Sequence, residues 1–193
     1  YGIDTETYNQ GGLGLKSIQI YGRNEEKYIA ITPDIVHKSD EVIRYHLLDD
    51  LFGFIESRED DAVFYIFNLT FDFSQMEKYF VERYEQSDEF HLKKGECNIL
   101  QSPNKMYSVK FRSKSGRMIY FYDLWLLTAS NLNASAKAFV GDTKIFIDDK
   151  NFTKGVPSPT EKKYAMKAAE LTYKLAMALK NFHGFDLTEM MTI

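Results

Sequence analysis

The sequence predicts an α/β domain in which a mixed β-sheet is flanked by helices. Three observations carry this: alternating apolar and polar residues open the chain, a short wholly apolar run follows the first helical pattern, and further helical patterns close the sequence. Strands, a helix, a strand buried on both faces and then more helices is the order of a layered α/β architecture.

Tyr1 to Tyr8 alternates as a half-buried strand does. Leu15 to Tyr21 and Lys27 to Ile31 repeat that period across Gly-rich or polar turns, which predicts a three-strand meander. Ser39 stands where an N-cap belongs, Asp40 and Glu41 follow it, and Val42, Ile43, Leu47, Leu48, Leu51, Phe52 and Ile55 mark one helix face. Ala62 to Phe67 reads as a strand buried on both sides, and Phe71 to Tyr84 as a helix after it. Between Glu96 and Tyr122, three β-rich stretches are separated by Ser102-Pro103-Asn104 and Lys114-Ser115-Gly116-Arg117, a β-hairpin insertion around 95–122. A further strand ends at Asp123. A helix from about Asn131 to Phe139, an irregular stretch with Gly155, Pro157 and Pro159, and a long helix from about Thr160 to Asn181 follow.

At 193 residues, 44% of them apolar and with fifteen Phe and thirteen Tyr, the chain suits one domain with a substantial core. Cys97 is the single cysteine, so no internal disulfide forms, and a reducing, intracellular (cytoplasmic) setting is expected. No apolar run approaches the roughly 20 residues needed to cross a bilayer. A net charge of −4 gives no global positive field with which to coat duplex DNA, so any nucleic-acid contact must be local. His37, His46, His91 and His183 follow no ligand spacing; Lys93 and Lys94 read as a solvated turn, and Glu56 to Asp61 as a solvated helix end.

Asp4 and Glu6 are one residue apart, so on a strand both carboxylates leave the same face. Two such acids repel unless the edge is solvated or divalent cations lie between them, where oxygen ligands suit Mg²⁺ or Mn²⁺. The run around them reads as buried, which weakens the solvated-edge reading. Asn68-Leu69-Thr70-Phe71-Asp72 follows the buried strand at its carboxyl end, where ligands favour binding, although Asn and Asp there also serve as helix caps.

Together these segments resemble the DEDD 3′→5′ exonucleases over nearly the whole chain. Ile3-Asp4-Thr5-Glu6-Thr7 is similar to the first exonuclease motif, Asn68 to Asp72 to the second, and Tyr164 with the residues after it to the third. A Tyr four residues before the last Asp position marks the DEDDy branch, which includes proofreading domains of family B DNA polymerases. The N-L-x-F-D form of the second motif is similar to protein-primed, phage-type members. So are Tyr122-Asp123-Leu124, the helix with Ala136-Lys137, and Lys144-Ile-Phe-Ile147.

The resemblance implies an RNase H-like (DnaQ-like exonuclease) fold and removal of nucleotides from a single-stranded DNA 3′ end by hydrolysis at two Mg²⁺ or Mn²⁺ ions. It also implies a monomeric protein of viral or mobile-element kind with a polymerase domain in the same parent chain, residues 184–193 beginning the connection to it. Asp4 would bridge both ions, Glu6 would bind the nucleophile-side ion, and Asp72 would hold the second through water. Tyr164 would orient the attacking water and Lys144 would approach the scissile phosphate. Phe71 would stack on a terminal base, with Asn68 and Thr5 bonding to the terminal nucleotide. Trp125, amid Leu124, Leu126 and Leu127, is expected to be structural, and Leu124 replaces a hydroxyl residue that some relatives use on single-stranded DNA.

One departure stands against these agreements. The last Asp would fall at position 168, which is Ala168. Glu170 lies about 200° further round a helix and cannot replace it. A deliberate Asp-to-Ala replacement that blocks catalysis is the expectation. Two other readings remain: a free-standing DNA or RNA exonuclease, and a non-catalytic single-strand-binding domain.

Overall fold

The computed structural model describes residues 1–9, 13–89, 91–128, 130–145 and 152–184. Eight strands form one mixed sheet: β1 (Gly2–Asn9), β2 (Leu13–Tyr21), β3 (Glu26–Ala30), β4 (Ala62–Ile66), β5 (Glu85–Gln86), β6 (Glu96–Ser102), β7 (Lys105–Arg112) and β8 (Met118–Asp123), ordered β3-β2-β1-β4-β8-β7-β6-β5. The expected meander is β1 to β3, antiparallel throughout. The third β-rich stretch and the strand expected to end at Asp123 are one strand, β8, because the turn after Arg112 is followed by a single extended run to Asp123.

The central strand β4 pairs in parallel with β1 on one side and β8 on the other. Its alternation separates two cores. Phe64 and Ile66 join Ile119 and Phe121 of β8 on the face covered by α1 (Asp40–Glu56). Tyr65 and Tyr122 point the other way, into a cluster with α5 (Leu132–Phe139) and α6 (Pro159–His183). Each side chain of this size, when fully enclosed, contributes roughly 1.5–3 kcal/mol, so a strand that alternates into two cores is held from both sides.

The Ser39 side chain caps α1 by accepting the Val42 N–H. The helix expected over Phe71 to Tyr84 is two short helices, α2 (Leu69–Ser74) and α3 (Glu77–Val81). The chain turns at Gln75–Met76, and Phe73, Met76, Tyr79 and Phe80 all enter the core across the break. After Asp123 comes a single turn, α4 (Trp125–Thr128).

Helix α6 starts with a capping box in which the Ser158 side chain accepts the Glu161 N–H and Glu161 accepts the Ser158 N–H. Glu161 also pairs at 2.5 Å with Lys16, a lysine buried in β2. Lys16 further donates to the Thr153 carbonyl and lies 5.1 Å from the centre of the Phe152 ring. One buried cation thus ties the segment before α6 to the sheet.

Helix α6 crosses β1 at Gly2, where backbone meets backbone. A methyl added to Gly2 would sit 2.3 Å from the Ala169 carbonyl oxygen and 2.5 Å from the Tyr173 nitrogen. Neither can yield without moving the helix. Gly2→Ala is therefore expected to lower unfolding free energy by about 1–3 kcal/mol, read as a lower urea midpoint at unchanged slope.

Candidate active site

The parallel register sets where functional residues emerge. Ile3 pairs with Ile66, and Ile66 with Asp123. Asp4, the residues after β4 and the residues after β8 therefore reach one edge of the sheet centre together. The segment after β4 turns into α2 through Asn68, which adopts φ 71 and makes no side-chain cap bond. Of the two roles open to Asn68, capping is thereby removed.

Asp4, Thr5, Glu6, Asn68, Phe71, Asp72, Lys144 and Tyr164 line one cleft of about 330 Å³. Segments far apart in sequence thus converge on a single pocket. Thr7, Phe67 and Phe152 complete its wall. Phe152 was not legible in the sequence. It stands edge-on to Tyr164 at 6.1 Å, with the Lys16 ammonium 5.1 Å from its ring centre, so the one sequence signal related to it is a lysine within the strand-like run Leu15 to Tyr21.

Asp72, 3% exposed, is held by Thr5, whose backbone N–H and hydroxyl donate to its Oδ1 at 3.0 and 2.6 Å. Thr5 is itself buried, lines the cleft and gives its hydroxyl proton to Asp72, which leaves the oxygen's lone pairs for any further bond. Phe71 is 41% exposed, in keeping with a ring offered to solvent rather than to the core. Trp125, expected to be structural, is 40% exposed, whereas Leu124 beside it is fully buried. Leu124 turns inward just before α4, and the first residue of that helix leaves its indole outside.

Burial pushes the Asp4 carboxyl up to about 6, opposed by the charge of Lys144 and a hydrogen bond with Glu6. Burial and then the charge of Asp4 hold Asp72 well above the usual carboxylate range, against the two bonds from Thr5. Burial opposes the charge on Lys144, but Asp4, then Tyr164 and Glu6, more than offset it and raise its pKa. Its backbone N–H donates to Asn133 Oδ1, and its ammonium lies 5.1 Å from the Tyr164 ring centre. Just ahead, Asp142 pairs with Lys167 and Lys174 of α6, fixing the approach. The hydrophobic position 147 of this element, residues 185–193 and the His183 side chain lie outside the described residues.

Carboxylates driven toward their neutral forms by burial and by one another mark a site short of positive charge. Their oxygens match Mg²⁺ or Mn²⁺ in kind. They do not match in convergence: among the described residues no three His, Cys, Asp or Glu side chains are grouped closely enough to hold a metal ion. Ala168 adds nothing to the shell. It is fully buried in the cluster with Tyr65, Tyr122 and Leu124, and its carbonyl accepts the Thr172 hydroxyl at 3.0 Å. Glu170 is paired with Lys167 and Lys174 and lines a neighbouring cleft, as its position round the helix requires.

No family model and no curated protein matches the chain. Solved structures do. Phi29 DNA polymerase complexed with primer-template DNA superposes with a TM-score of 0.69 at 17% identity, over 96% of this chain and 31% of that one. The same polymerase complexed with single-stranded DNA gives 0.68 at 17% identity, over 95% and 31%. The Aedes aegypti Nibbler EXO domain gives 0.56 at 15% identity, over 98% of this chain and 83% of that one. The chain spans under a third of the polymerase and most of the Nibbler domain. At these identities the likeness carries the fold, which is the RNase H-like fold of exonuclease domains.

The raised Asp4 carboxyl has a consequence for stability. Between its ordinary value of 3.8 and about 6 the folded state holds the proton and the unfolded chain has lost it, so stability falls as pH rises through that window. Asp4→Asn removes the penalty. In chelator, urea unfolding is expected to show the variant more stable by about 1–3 kcal/mol at pH 7 and unchanged near pH 4.

Proposed function

We propose that this chain is a 3′→5′ exonuclease domain of the DEDDy type, akin to the proofreading domain of a protein-primed DNA polymerase, whose hydrolytic step is impaired. The observation that supports it is convergence. Residues 4–6, 68, 71, 72, 144 and 164, positions that carry the resemblance, share one cleft on an RNase H-like fold.

A single-stranded 3′ end would enter with its last base against the exposed ring of Phe71 and its sugar beside Asn68, since stacking on an aromatic face and local polar contacts hold single strands without a large basic surface. Lys144 would set its ammonium against the scissile phosphate. Tyr164, braced by Phe152, would place its hydroxyl near the attacking water. Asp4, Glu6 and Asp72 would be the ligands of Mg²⁺ or Mn²⁺, which would supply an activated water and stabilise charge on the leaving oxygen if their side chains drew together and the shell were complete. Here it is not: position 168 offers a methyl group one helical turn beyond Tyr164. Binding without efficient cleavage follows.

Single-strand binding without catalysis is the second reading, favoured by the complete enclosure of Ala168. Degradation of a 5′-labelled single-stranded DNA oligonucleotide in Mg²⁺ or Mn²⁺ separates the two. Ala168→Asp is expected to raise the rate of laddered 3′-end loss by at least about 100-fold over the parent chain, since even residues that only support a ligand are worth 10–100-fold. A variant that binds the strand, retains the parent circular dichroism and still cleaves nothing would leave the binding module as the correct reading.

A further inference from the structure

A buried ion pair stands just behind the cleft. Asp123, at the end of β8 and fully buried, accepts through Oδ1 the backbone N–H of Asn68 at 3.0 Å and of Trp125 at 2.9 Å. Its Oδ2 lies 2.6 Å from Lys105 Nζ. Lys105 opens β7, and the next residue, Met106, donates its N–H to the Thr70 hydroxyl in α2, which ties the hairpin to the loop after β4. The Lys105 ammonium sits 4.5 Å from the centre of the Trp125 ring and donates to Asn68 Oδ1 at 3.3 Å.

That last bond decides an orientation. An ammonium has three donors and no acceptor, so a carboxamide can present only its oxygen to it. The Asn68 Nδ2 group must then face away from Lys105. Asn68 lines the cleft, and among the described residues its Nδ2 donates to nothing. The backbone is held as firmly. Asn68 is the only non-glycine residue with positive φ among those described, a conformation that persists where surrounding bonds over-determine it, and Asp123 supplies one such bond.

We propose that Lys105 and Asp123 are positioning residues that lock Asn68 as a hydrogen-bond donor to the cleft, so that the site selects an acceptor oxygen, not a donor, on the 3′-terminal nucleotide of a bound single strand. The selectivity rests on the single-strand reading above; the lock itself does not.

Two measurements test it. In the first, fluorescence anisotropy reads the binding of a 5′-labelled oligothymidylate, whose bases and sugars offer acceptor oxygens, to the parent chain, Lys105→Met, Asn68→Ala and the double variant. Lys105→Met and Asn68→Ala are each expected to weaken binding about fivefold, the worth of one ordinary hydrogen bond. The double variant should be no weaker than Asn68→Ala, because Lys105 acts through Asn68. Lys105→Arg, which also presents only donors, should bind as the parent does. Multiplying losses in the double variant would mean that Lys105 touches the strand itself and would overturn the proposal. Should Lys105→Met fail to fold because Asp123 is left unpaired, Lys105→Met/Asp123→Asn removes both charges and is read the same way.

In the second, ¹⁵N NMR follows the side-chain amide of Asn68 in the free protein. Lys105→Met should shift the Asn68 Nδ2 signals and leave those of Asn98, which donates to the Ser87 carbonyl, in place. Unmoved Asn68 signals would show that no lock exists. If the parent chain binds no single strand while the Asn68 signals do move, the single-strand reading fails and the lock stands.

Discussion

Parallel pairing of β4 with both β1 and β8 sets the level at which three separate segments leave the sheet, and the cleft follows from that register. Ile3, Ile66 and Asp123 lie side by side, so the residues just past them meet above the strand ends. A slip of one residue in the β1–β4 pairing would turn Asp4 toward the core and Ile3 toward the cleft, because side chains alternate across a strand. The two cores on either face make such a slip costly. Phe64 and Ile66 on one side and Tyr65 on the other are all fully or nearly enclosed, and a shift would exchange them.

Around that edge the structure concentrates negative charge and does little to neutralise it. Thr5 braces Asp72 with two bonds, and Lys144 is the one cation lining the cleft among the described residues. Two other lysines near the site are spent elsewhere: the buried Lys16 anchors the segment carrying Phe152, and the half-buried Lys105 answers Asp123. A fold shaped only for stability has no use for two like charges on one strand face. Burial, and for Asp72 the neighbouring charge of Asp4, raise both carboxyls above their ordinary values.

Much of the scaffold was readable from periodicity and end signals. The meander, the Ser39 cap of α1, the two hairpin turns and the long α6, expected from about Thr160 and beginning at Pro159, all follow local rules, and locally determined elements are what a one-dimensional pattern can record. The break at Gln75–Met76 was not readable, because Phe73, Met76, Tyr79 and Phe80 keep helical spacing and only the shape of the core decides that the chain must turn. The exposure of Trp125 was hidden likewise. Its apolar neighbours suggested burial, yet Leu124 turns inward just before α4 and the indole of that helix's first residue stays outside.

Short-range pattern alone marked the candidate residues: the Asp4–Glu6 alternation, the Asn68 to Asp72 stretch at a strand end and the Tyr164 to Ala168 spacing, each a pattern whose geometry a strand or helix imposes. Their partners follow from packing over long range. Thr5 serves Asp72 across 67 positions, Asn68 depends on Asp123 across 55, and Lys16 reaches Glu161 across 145. Such contacts have no period. They exist because strands distant in sequence are packed side by side, where burial makes every unpaired charge costly and so selects the partner that each must find.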